Sequence, residues 1–231
     1  MISERKFASV FTSFWRETLP MEDGFIRFAN VHALHFARPL YGGDAEDRGL
    51  VNEAAFRLFV GSRTSQGGGK PDIDAALSEA RVLVSPLAGS GHGESSVSMT
   101  GRAVIVELAR RLAHFFDKSG RYHSVTPLPH FSGCGILSDC HGDIIADRTI
   151  FEVKAGQRDF RAPDIRQVVT YCALNSETRG HDISNIGLIN PRRGISYVIS
   201  SEEFARAVAR VCASELFGAI VDFLVAEGTS R

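Results

Sequence analysis

"GDIIADRTIFEVKAG", Gly142 to Gly156, reads as a β-hairpin whose second strand ends in charge. Ile144 and Ile145 lead to a polar turn at Asp147 and Arg148. Ile150, Phe151 and Val153 follow it, interrupted by Glu152 and Lys154. Side chains alternate across a strand with period two, so Glu152 and Lys154 share one face and Phe151 and Val153 the other. A strand this apolar belongs inside a sheet, where a carboxylate is costly unless it is paired or bound to a metal. The acid and the base on one face therefore need a neutralising partner.

Working outward, a loop containing Pro127 and Pro129 leads into "HFSGCGILSDC", read as a strand. After the hairpin, "APDIRQVVTYCALN" is expected to be a helix, with Pro163 in its first turn and Asn175 able to end it. "NIGLI", "NPRRG" and "ISYVI" give strand, turn and strand, and Ser200 or Ser201 caps a last helix reaching about Ala226. Upstream, residues 3–18 place Phe7, Val10, Phe11 and Phe14 at helical spacing behind Ser3, with Pro20 beyond the end. Residues 21–42 are aromatic-rich and read as helical, and "EDRGLVNEAAFRLFVG" gives another helix. "SRTSQGGGKP" reads as a flexible break, Asp72 caps a helical stretch to about Val84, and "SPLAGSGHGESSVS" reads as a loop. Thr100 to Lys118 is amphipathic, with Val104, Leu108, Leu112 and Phe115 on one stripe. The order predicts an α/β core over residues 100–231 behind a helical N-terminal region, residues 1–99.

At 231 residues, 44% hydrophobic and 23% charged, the chain has the composition of a soluble globular protein, and sixteen phenylalanines supply core material. No window holds eighteen consecutive apolar residues, so no membrane partner is expected. The charged start "MISERKFASVF" lacks a secretory apolar region and points to a cytoplasmic location. Cys134, Cys140, Cys172 and Cys212 form no C-x-x-C pair and read as reduced thiols. A net charge of −1 does not mark a nucleic-acid partner. A local groove can still be basic, and Arg148, Lys154, Arg158, Arg161, Arg166, Arg192 and Arg193 crowd the region after the hairpin turn.

Asp143, then Glu152-Val153-Lys154 nine residues on, then Gln167-x-x-x-Tyr171 on the following helix form an ordered set. This set resembles the PD-(D/E)XK nuclease superfamily, RecB-type branch, over roughly residues 101–199. The resemblance implies a restriction-endonuclease-like mixed β-sheet core flanked by helices. It also implies a metal-dependent nuclease that hydrolyses phosphodiester bonds, DNA being favoured over RNA. Asp143 and Glu152 would hold Mg2+ or Mn2+, with the Val153 carbonyl as a third ligand. Hard oxygen ligands suit these ions, and a bound cation lowers the pKa of water and offsets phosphate charge. Lys154 would act on the nucleophile or the transition state, Gln167 would hold the lysine or the water, and Tyr171 would pack beside it or touch a phosphate. A glutamate on the first core helix often joins such a site, for which Glu107 is the candidate. His130 is a second supporting candidate, and Asp139 an alternative first carboxylate. Arg158, Arg161 and Arg166 are candidates for phosphate contact.

The same fold could instead serve a non-cutting nucleic-acid-binding or assembly subunit in a DNA-repair or phage-defence complex. A helicase or ATPase partner is a further expectation by analogy, since the chain has no motor motif, and cutting both strands would favour a homodimer. The spacing of His130, Cys134, Cys140 and His141 fits no common structural zinc site. "GSGHGESS" lacks the ending of a P-loop and the order of a serine-hydrolase elbow.

Overall fold

The computed structural model describes residues 1–42, 48–64, 72–84, 97–117 and 122–229. In chain order the elements are α1 (Glu4–Val10), α2 (Thr12–Thr18), α3 (Glu22–Val31), β1 (Leu34–His35), α4 (Arg48–Thr64), α5 (Ile73–Val84) and α6 (Met99–Asp117). There follow β2 (Val125–Pro127), β3 (His130–Phe131), β4 (Cys140–His141), β5 (Ile144–Ala146), β6 (Thr149–Val153) and α7 (Ala162–Thr178). The chain closes with β7 (Asn185–Asn190), β8 (Ile195–Ser200), α8 (Ser201–Ala209) and α9 (Ala213–Thr229). The expected break at "SRTSQGGGKP" and the expected loop at "SPLAGSGHGESSVS" lie largely outside the described residues.

The protein is α/β, with a mixed six-stranded sheet of order β1-β8-β7-β6-β5-β2 and helices on both faces. β5 and β6 form the expected antiparallel hairpin, pairing Ile144 with Phe151 and Ala146 with Thr149. Asp147 makes the turn at φ 49°, and its carboxylate accepts the backbone N–H groups of His123 and Ser124. β6 then pairs in parallel with β7, which needs a crossover, and α7 supplies it. Parallel pairing through a helix buries β6 on both faces.

The two faces of β6 belong to different cores. Ile150 joins Ile165, Val168 and Leu188 beneath α7, with Phe7, Trp15, Phe25, Phe204 and Ile220 from the N- and C-terminal helices. Phe151 and Ile144 join Leu108, Leu112, Phe115 and Phe116 of α6 and Phe59 of α4 on the other side. Burying Phe151 completely contributes roughly 2–3 kcal/mol, and Gly187 on β7 leaves the space its ring occupies, since a Cβ there would run into it. Residues 1–99 thus feed both cores.

Several boundaries differ from the sequence reading. The first helix is two, because Phe11 leaves helical geometry with ψ 58°, although Ser3 caps α1 as expected by accepting the Lys6 N–H at 3.3 Å. The last helix is also two, broken where Arg210 turns left-handed at φ 60°. Residues 125–127, read as loop, pair with β5 as an edge strand, where Pro127 has no neighbour to serve with an N–H. "HFSGCGILSDC" is not one strand but two short ones, β3 and β4, in a ribbon of their own. Asn175 does not end α7; its side chain bonds the backbone of His181 in both directions, while Arg179 takes the left-handed cap. Among the described residues, no helix is long and apolar enough to cross a membrane.

Candidate active site

The face of β6 that carries Glu152 looks toward α7. Asp143 stands just before β5, and its Oδ2 accepts the Val153 N–H at 2.7 Å, which fixes it across the hairpin from the Glu152–Lys154 pair. Lys154 lies one residue beyond β6, and its own N–H extends the parallel ladder by donating to the Ile189 carbonyl at 2.8 Å. Its ammonium donates to Glu152 Oε1 at 2.5 Å and to Gln167 Oε1 at 2.9 Å. Gln167 and Tyr171, one helical turn apart on α7, both face this strand. The Tyr171 ring is buried, stacked on Phe131 with centroids 5.3 Å apart. Burial, with the Glu152 and Asp143 charges adding to it, holds Tyr171 as a neutral phenol.

Glu152 is 1% exposed, and among the described residues its Oε2 has no hydrogen-bond partner; neither has the buried Nε2 of Gln167. Such groups cost roughly 1–3 kcal/mol each when left unmet, more if charged, so the acceptor and donor around Lys154 single this place out as the candidate site. Burial, with the Asp143 charge adding to it, pushes the Glu152 carboxyl up to about 8 against the pull of Lys154. Asp143 is raised by burial as well, and Glu53 of α4 adds to the shift. Burial works against the Lys154 ammonium, but the two carboxylates outweigh it and hold its pKa above the usual lysine value. Both acids hold protons unusually tightly even beside a fixed ammonium. The site is short of positive charge.

Three further groups contribute that the sequence reading did not name. Asp164, in the first turn of α7, is buried and lies 3.9 Å from the Lys154 ammonium. Arg5 of α1 has an exposed side chain whose charge favours the ionised form of both Asp143 and Glu152. α1 is pinned there by the Ile2 N–H donating to the Ile136 carbonyl and by Phe7 in the core. Glu53 is the third. Asp164 had a faint signal, an acid directly after Pro163 at a helix start, whereas Arg5 and Glu53 come from distant helices and had none.

Other candidates stand elsewhere. Glu107 is bound to Arg110 and Arg111 at 2.7 Å each, and these bonds, that from Arg110 foremost, lower its carboxyl to about 2. α6 packs on the opposite face of the sheet from Glu152, so its glutamate serves Arg111 instead, which ties down the carbonyls of Arg38 and Pro191. His130 sits on the separate ribbon, its ring beside Asp139 and His141. Asp139 is exposed and accepts the Gly133 N–H at 2.8 Å, so it takes no place beside Glu152.

The arginines divide. Arg158 makes a two-pronged pair with Asp164 at 2.6 and 2.8 Å, and Arg161 is exposed with its backbone N–H on the same carboxylate. Arg166 is not a surface charge. Its side chain is 13% exposed, paired with buried Glu22 at 2.6 Å and set over the Trp15 ring. Arg166→Ala should therefore destabilise the fold by about 3 kcal/mol, because it strands a buried carboxylate. Urea denaturation checks this, and Glu22→Gln combined with Arg166→Met should restore most of the loss.

Among the described residues, no group of three or more His, Cys, Asp or Glu side chains is gathered as a ready metal cage. Asp143 and Glu152 offer two carboxylates beside Lys154, one with a buried oxygen that meets no described partner, a set that suits a hard cation completed by water and substrate oxygens. In comparisons with protein-family models, with curated proteins and with solved structures, the chain finds no match.

Proposed function

We propose that the protein is a metal-dependent nuclease of the PD-(D/E)XK type that hydrolyses phosphodiester bonds, with DNA as the favoured substrate. The observation that carries this reading is the unpartnered, fully buried Oε2 of Glu152 beside Asp143 and Lys154. The mixed sheet flanked by helices, with the acid-x-lysine strand facing the Gln167–Tyr171 helix, supports it. Asp143 and Glu152 would hold Mg2+ or Mn2+, with the Val153 carbonyl as the third ligand the resemblance implies. When bound, the cation supplies the charge that lowers the pKa of water and offsets that of the phosphate. Lys154 is a protonated donor near neutral pH, so it orients the attacking water and steadies the developing oxygen charge rather than acting as the base. Gln167 and Asp164 hold that ammonium in place, and the free Gln167 amide is a donor for the water or a phosphate oxygen.

The test is cleavage of supercoiled plasmid and of labelled single-stranded oligonucleotides with Mg2+, Mn2+ or EDTA. Products with either metal and none with EDTA are expected. A wild type that binds nucleic acid yet cuts nothing with any divalent metal would instead be a binding subunit.

A further inference from the structure

The turn between β7 and β8 carries a second unusual charge. Arg192 is 2% exposed, yet among the described residues its guanidinium meets no carboxylate. Nε donates to the Ala155 carbonyl at 2.7 Å, Nη1 to the Gly42 carbonyl at 3.2 Å and Nη2 to Asn52 Oδ1 at 2.9 Å. These neutral acceptors leave further N–H groups of the fork without a described partner. Burial lowers the Arg192 pKa, and the charges of Arg48 and Arg111 lower it further. A buried cation among cations is costly to keep without a counter-charge, as are the buried acids beside Lys154.

The arginine lines a cavity of about 230 Å3 with Pro39, Leu40, Tyr41, Gln157 and Arg193. Its walls are held by the backbone. The Leu40 N–H donates to the Arg192 carbonyl at 2.7 Å and the Phe36 N–H to the Gly194 carbonyl at 2.8 Å. Gly194 sits at φ 66°, where a Cβ would strike the Ala37 carbonyl. Tyr41 is 81% exposed on the rim, an aromatic face open to solvent. Arg193 is engaged by Asp159 at 2.5 Å, whereas Arg192 meets no carboxylate among the described residues. Arg192 Nε also ties the cavity to the chain beside the candidate site, since the carbonyl it meets belongs to Ala155, the residue that follows Lys154.

We propose that the Arg192 cavity is a phosphate subsite, which holds a phosphate of the substrate strand next to the bond being cut while Tyr41 stacks on the adjoining base. This rests on the nuclease reading for its substrate and on the cavity for its chemistry. An anionic strand laid across the two sites meets a cation-seeking acid pair and, beside it, an anion-seeking arginine. The phosphate can be internal or a chain end, and oligonucleotides with 5′-phosphate and 5′-hydroxyl ends tell which.

The test uses the full chain in EDTA, so that cleavage plays no part. Inorganic phosphate should raise the melting temperature of wild type by about 3 °C over chloride of equal ionic strength. Gln157→Glu, which puts an acid in the cavity wall, should abolish that gain. The same substitution should weaken binding of a labelled oligonucleotide about five- to tenfold and reduce its salt slope by about one. Tyr41→Ala should weaken binding with the slope unchanged. Arg192→Gln is the direct variant; should it fail to fold, Gln157→Glu and Tyr41→Ala carry the test. A phosphate gain absent from wild type, or equal in wild type and Gln157→Glu, overturns the subsite. A protein that passes these arms but never cuts keeps the subsite and loses the nuclease reading. One that cuts while Gln157→Glu binds as wild type does the reverse.

Discussion

Replacing Lys154 with alanine is expected to slow turnover by about 100-fold or more while nucleic-acid affinity stays within a few-fold of wild type. The Lys154 side chain is 18% exposed and its ammonium is enclosed by Glu152, Gln167 and Asp164, so little of it is free to serve as a general phosphate contact. Its salt slope in binding should fall by about one or less. The change also removes the partner of Glu152 Oε1, leaving both oxygens of that buried carboxylate unmet. Breaking a buried pair costs about 3 kcal/mol, so rates must be compared where circular dichroism shows both proteins folded. Gln167→Ala should act in the same direction more mildly, because it removes one of the groups that position the ammonium. Single-turnover cleavage and fluorescence anisotropy separate the two effects. A Lys154→Ala protein that loses binding, beside a wild type that never cuts, would mark a binding module.

Alanine at Asp143 or Glu152 should abolish cleavage and leave the metal-free fold intact or more stable. The usual carboxyl value for Glu152 is 4.5, and in the folded protein it stands at about 8. Below pH 4.5 both folded and unfolded chains hold the proton, and the group is neutral to stability. Between pH 4.5 and about 8 the folded chain binds the extra proton, so stability falls as pH rises, and above 8 the full penalty is present. That penalty is on the order of 3–5 kcal/mol. Urea denaturation in EDTA should therefore show wild type losing stability from pH 5 to pH 8.5, with Glu152→Gln much flatter. Manganese should restore wild type at the high end and leave Glu152→Gln unchanged. Parallel pH profiles for the two proteins would show that the Glu152 proton is not what burial makes it.

The part of this that could be read from the sequence is the part governed by short spacing. The hairpin follows from alternation and from the Asp147–Arg148 turn, and the helix face from the four-residue gap between Gln167 and Tyr171. The expectation that Glu152 and Lys154 lie opposite Phe151 and Val153 follows from strand geometry, and each pair does belong to a different side of the sheet. Periodicity identifies the apolar stripe of α6 but not the side of the sheet it covers, so the surroundings of Glu107 follow from packing alone. Arg166 reads as one charge among several; only the packing of α3 and Trp15 against α7 makes it a buried partner of Glu22. β1 has two residues and exists because Leu34 and His35 meet Ser196 and Ile195 from the far end of the chain. No local signal encodes that pairing. The same holds for Arg5 and Glu53, which reach the site by tertiary packing alone.

In the proposed nuclease, Asp143 and Glu152 form one cation site. A crystal soaked in manganese and measured at an anomalous wavelength tests it most directly. The expected result is a single anomalous peak touching Asp143 and the Oε2 of Glu152, lost in Asp143→Ala crystals treated alike. Contradiction would be manganese bound elsewhere in the molecule with the Asp143–Glu152 pair empty and Lys154 unmoved on Glu152.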